Sequence, residues 1–144
     1  MRLSDWMAAA PSSQATHDRV AAAYRPALRA LGVADDSLAY VVWGDEPEVR
    51  FMILAATDAG LATVNVRVNV PGEGPRAAGR LVRWSRVQVG ELQVEAHHGR
   101  RYVSAQLEGM VLQGVDDAAD EVGAWMAEVF RRQEARPSDR PVGP

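Results

Sequence analysis

The chain has 144 residues, a formal net charge of −3 and no cysteine. That length suits one domain able to bury a core without staples, and the missing thiols exclude disulfides, thiolate zinc sites and cysteine nucleophiles. The negative balance removes a global electrostatic case for nucleic acid, and no apolar run reaches the ~20 residues a membrane span needs.

The first segment, residues 1–12, suits a loose turn or short helix around Asp5 to Ala10 and holds a tryptophan, Trp6, expected to dock on the domain. No leader-like pattern precedes it, so a cytoplasmic protein is expected. A helix should run from Gln14 to Leu31, because Val20, Tyr24, Ala27, Leu28 and Leu31 recur at three- and four-residue spacing. Gly32 suits the left-handed position after its end. Pro26 removes one backbone donor inside it, and His17 reads as a half-buried helix residue.

Three strands follow: Leu38–Trp43, Glu48–Thr57 and Leu61–Val70. The third alternates strictly, Val64, Val66, Val68 and Val70 against Thr63, Asn65, Arg67 and Asn69, the pattern of one wet face. The first two are apolar on both faces. Tyr40, Val42, Met52 and Leu54 therefore need cover, and they are the candidate dimer interface.

Pro71 to Pro75 is a hard break. The spacing predicts an amphipathic helix over Arg76–Val87, with Pro75 starting it. Arg76, Arg80, Arg83 and Arg86 would line one side and form the candidate partner-docking row. The charge is modular here: residues 76–101 hold six Arg and two acids, whereas residues 102–130 hold no Arg and six acids.

A hairpin turning at His98-Gly99 comes next. This register sets Val94 against Val103 and Leu92 against Ala105 on an apolar face. It sets Glu95 against Tyr102, Gln93 against Ser104 and Glu91 against Gln106 on a polar one. Gly109 to Gly114 continues or bends the last strand. A final helix spans Asp117–Glu134, acidic at its start and basic at its end. Residues 135–144 are expected to be disordered. The expected fold is α+β: an antiparallel five-stranded sheet with helices packed on it, in the order α-βββ-α-ββ-α, over a single domain at 13–134.

No catalytic motif appears. There is no Gly-x-Ser-x-Gly elbow, phosphate-cradling glycine loop or His-Glu-x-x-His helix. His97 and His98 sit together at a hairpin tip and point to opposite faces, a poor chelate. Asp45, Glu46 and Glu48 form an acidic turn. No cofactor, no metal and no enzymatic activity are expected.

The segment Leu81-Val82-Arg83-Trp84-Ser85-Arg86, the hairpin Leu92 to Leu107 and the helix Asp117 to Glu134 resemble, in their order, the YbjN family and the type III secretion chaperone-like fold. The likeness covers about residues 14–134. It implies a non-enzymatic homodimeric adaptor that binds a partner protein, in a stress or DNA-damage-response setting, with a single-stranded-DNA-binding repair protein as the partner implied. Two alternatives compete: direct nucleic-acid binding through the Arg76/Arg80/Arg83/Arg86 helix face, and a small-ligand-binding α+β domain.

Overall fold

The computed structural model describes residues 1–9, 18–43 and 50–134. His17, the Asp45/Glu46/Glu48 turn and the 135–144 tail lie outside these residues. The architecture is α+β with antiparallel sheets, but there are two sheets, of four and three strands, rather than one of five. The chain divides into two compact units, one ending at Val82 and the next beginning at Arg83. No described helix is long and apolar enough to cross a membrane.

The first unit contains α1 (Leu3–Ala9), α2 (Asp18–Ala30), β1 (Ala39–Trp43), β2 (Arg50–Ala56), β3 (Gly60–Val70) and β4 (Gly74–Arg83). Its sheet has the order β1-β2-β3-β4. The strict alternation of β3 is realised as burial: Val64, Val66 and Val68 are buried, while Asn65, Arg67 and Asn69 are exposed. Phe51, Ile53 and Ala55 of β2 join the same face, and Trp6, Val20, Tyr24 and Leu28 of the two helices cover it. Trp6 does dock. Its ring centroid lies 5.9 Å from that of Tyr24 and 5.9 Å from that of Phe51. Backbone bonds from Leu3 N–H to the Ser37 carbonyl and from Ser4 N–H to the Asp35 carbonyl hold α1 in place.

Tyr24 is fully buried, and its hydroxyl has no hydrogen-bond partner among the described residues. Burial pushes the phenol above its usual pKa, with Arg25 pulling the other way. An unpaired buried hydroxyl costs more than its removal. Tyr24→Phe should therefore stabilise the protein by about 1 kcal/mol, seen as a higher melting temperature. A drop in melting temperature would show that the hydroxyl is bonded after all.

The helix expected over Arg76–Val87 is not there. Residues 74–83 are β4, and only Trp84–Arg86 coil, as one 3-10 turn. The cause is local. The turn at Pro71-Gly72-Glu73 ends on Gly74 with φ +84°, after which the chain runs back along β3. Gly79 then lies flush against the core. A Cβ there would sit 2.8 Å from Leu31 Cδ1 and 3.3 Å from Val64 Cγ2. Pro75 is tolerated because β4 is an edge strand.

The second unit holds β5 (Val89–His97), β6 (Arg100–Leu107), β7 (Met110–Val115) and α3 (Asp117–Glu134). The hairpin register is the expected one over most of its length: Leu92 opposite Ala105, Gln93 opposite Ser104, Val94 opposite Val103, Glu95 opposite Tyr102. The Glu91–Gln106 pairing is displaced by a register shift between Val89 and Leu92. His98 (φ 51°) and Gly99 (φ 76°) make the two-residue turn. Glu108 (φ 50°) and Gly109 (φ 79°) repeat it. The chain therefore turns back after β6, and residues 110–115 form a strand of their own.

The final helix has the expected bounds. Val122, Trp125, Met126 and Val129 are its buried face, and Ala105, Leu107 and Leu112 of β6 and β7 are buried in the same unit. Asp116 ties the helix start to β6: its Oδ1 accepts from the Arg101 N–H at 3.1 Å, and its own N–H bonds the Arg101 carbonyl at 2.9 Å. At the far end Gln133 Nε2 donates to the carbonyls of Trp84 and Val87, at 3.3 and 3.0 Å. Glu128 accepts from Arg131 Nε at 3.0 Å and from Arg132 Nε at 2.8 Å. The Arg131 bond, with Arg132 adding to it, holds the Glu128 carboxyl below the usual carboxylate range.

Candidate functional site

Cross-strand pairing brings the four candidate dimer residues together. Tyr40 lies opposite Leu54 and Val42 opposite Met52, on one face of β1 and β2. Leu54 is fully buried and offers no surface; Tyr40, Val42 and Met52 are half-buried. The patch is small and largely covered.

The candidate arginine row is not brought together. Strand alternation puts Arg76 and Arg80 on one face of β4 and Arg83 on the other, and Arg86 lies in the 3-10 turn. Arg76 is ion-paired with Glu73. A different collection forms instead. Ala77 packs on the core side of β4, so Arg76 and Arg80 share the opposite sheet face with Arg67 and Arg50. Arg50 lies directly opposite Arg67, a like-charge pair that weakens the sheet locally.

The most exposed ordered element is β5. Every residue from Gly90 to His97 is exposed, including Leu92 (43%) and Val94 (69%). In the three-stranded order β5-β6-β7 it is an edge, and no described strand pairs with its outer side. Its apolar residues share a face with Ala105 and Leu112, which are buried. The reason is dimensional. A helix is about 10 Å across and strands lie about 4.8 Å apart, so one helix covers roughly two strands. Here α3 packs on β6 and β7, and the apolar side of β5 is left bare.

This surface was not anticipated from sequence, where the apolar side of the hairpin reads as core. One signal was available. Only one helix follows the hairpin, too few to roof three strands.

The opposite face of the same sheet holds an open recess of about 550 Å³, lined among others by Gln93, Glu95, Tyr102, Ser104 and Gln113. Ser104 has no histidine beside it in that lining. Among the described residues no group of three or more His, Asp or Glu is placed to hold a metal ion. His97 and His98 have ring centroids 4.0 Å apart but sit at a solvent-exposed turn, His97 at the end of β5 and His98 within the turn.

Compared with known proteins, the chain matches no family model, no curated protein and no solved structure.

Proposed function

We propose that the protein is a non-enzymatic adaptor that works as a homodimer and holds a partner protein. The observation that carries this reading is β5: a nine-residue strand, exposed along nearly its whole length, with apolar side chains and an open backbone edge. An edge of this kind presents unpaired N–H and C=O groups to any chain that can lie beside it. Natural proteins usually protect such edges with charged side chains, proline, bulges or a covering loop. From Gly90 to His97, β5 has no proline, its two carboxylates Glu91 and Glu95 lie on the polar face, and its one irregularity falls before Leu92.

This is the class of function that the YbjN-like resemblance implies, with a single-stranded-DNA-binding repair protein as the partner it suggests. The surface differs from the one expected, since Leu54 is buried and β5 is open. The nucleic-acid alternative loses the helix face on which it rested, because residues 74–83 are a strand.

The test is the solution mass of the purified chain at micromolar concentration, by light scattering, together with affinity capture of the tagged chain from its source cell. A dimeric mass and a partner that co-purifies in fixed proportion are expected. A strictly monomeric mass with no captured partner would remove the reading.

A further inference from the structure

We infer that the open edge of β5 takes the β5 strand of a second copy, in an antiparallel register centred on Val94. The inference rests on the adaptor reading and names its self-association surface.

The backbone sets which groups are on offer. The two-residue turn at His98-Gly99 makes His97 and Arg100 the closing hydrogen-bonded pair. Hydrogen-bonded and non-bonded pairs alternate along an antiparallel ladder. Glu95 and Gln93 thus spend their backbone bonds on Tyr102 and Ser104. The N–H and C=O groups of Leu92, Val94 and Ala96 point at the open edge.

Side-chain chemistry then selects the register. Centring two copies on Gln93 sets Glu91 opposite the other copy's Glu95, twice. Centring them on Glu95 sets that carboxylate opposite its own copy. Like charges directly opposite destabilise a sheet. Centring on Val94 avoids both. Val94 meets Val94, Leu92 meets Ala96, Gln93 meets Glu95 and Glu91 meets His97. Apolar groups meet on one face, and hydrogen-bonding or complementary groups meet on the other.

The same register makes the edge groups of Leu92, Val94 and Ala96 the bonded pairs, as the backbone requires. The two-fold interface is self-complementary, the usual condition for a closed dimer. It would join two three-stranded sheets into six continuous strands, and it would place the exposed Leu92 and Val94 against apolar neighbours.

The chain has no cysteine, so engineered thiols report the register directly. Leu92 and Ala96 form a bonded pair across the two-fold axis, and both lie in the regular part of the β5 ladder. Their Cα separation of about 5.5 Å lies within disulfide range. Like positions in this register are four residues out of line, about 14 Å apart. A tagged Leu92→Cys chain mixed with an untagged Ala96→Cys chain under mild oxidation should give a cross-linked heterodimer. Its yield should be at least tenfold that of the homodimer from either variant alone.

Val94→Lys, at a side chain too exposed to matter for the fold, should convert a dimeric mass to a monomeric one with an unchanged circular dichroism spectrum. A dimeric wild type that gives no excess of mixed cross-link, or a Val94→Lys chain that stays dimeric, overturns the register and the edge while leaving self-association in place. A monomeric wild type overturns the inference whatever the cross-links show, and if no partner is captured the adaptor reading falls with it.

Discussion

Phe51→Ala is expected to cost about 3–5 kcal/mol, the range for removing a large aromatic side chain from a packed core. Phe51 is 2% exposed. Its ring centroid lies 5.9 Å from Trp6, 6.3 Å from Tyr24 and 5.2 Å from Trp43. Truncation would therefore leave a cavity walled by three aromatic rings that α1, α2 and β1 hold in place. Since a domain of this size has a total stability of about 5–15 kcal/mol, the loss is a large fraction of the whole. The check is a urea midpoint for the variant beside that for Trp43→Ala. Trp43 shares the ring contact but is 46% exposed, and its loss should move the midpoint far less. Equal shifts would mean that the cluster is not the keystone of the first unit.

The second large effect concerns a residue with no side chain. Gly114 in β7 lies beneath the start of α3. A Cβ there would come within 2.4 Å of the Ala118 carbonyl carbon and 2.5 Å of its oxygen. Those are backbone atoms, so no rotamer change relieves the clash, and α3 must lift off the sheet or β7 must bend. Gly114→Val should destabilise by about 3 kcal/mol, at the upper end of overpacking effects. Gly123, inside α3, is the internal control, because a Cβ there meets nothing within 4 Å. Gly123→Ala should instead stabilise the helix by about 1 kcal/mol. Thermal melts of the two variants should move in opposite directions. A neutral Gly114→Val would mean that α3 does not seat on β7 in solution.

What could be read from the residues depended on whether one periodicity excluded the other. In the hairpin, two chemically distinct faces and a glycine in the turn leave a single register, and the Val94–Val103 and Leu92–Ala105 pairs follow. The Asp117–Glu134 helix is legible because Val122, Trp125 and Val129 recur at helical spacing only. Residues 76–83 failed for the converse reason. Ala77 and Leu81, like Arg76 and Arg80, are four apart, a spacing that falls on one side of a helix and equally on one face of a strand. Only Gly79, which weakens a helix, leaned the other way. The last strand was half legible, since Glu108 adopts a positive φ that its side chain does not advertise. The β5 edge was hidden for a different reason. Alternation tells which side of a strand is apolar, not whether enough helix exists to roof it.

The close seating of Gly79 against Leu31 and Val64 carries a consequence for descent. Positions 31 and 79 share one volume: the space a side chain would need at 79 is held by Leu31 Cδ1. A lineage that acquires alanine at 79 has to turn the end of the residue 31 side chain aside or shorten it, and one that enlarges residue 31 favours glycine at 79. The two positions should vary together across related sequences, with their summed side-chain volume steadier than either alone. Such covariation would mark the true relatives of this chain by a strand the residue pattern alone disguises as a helix.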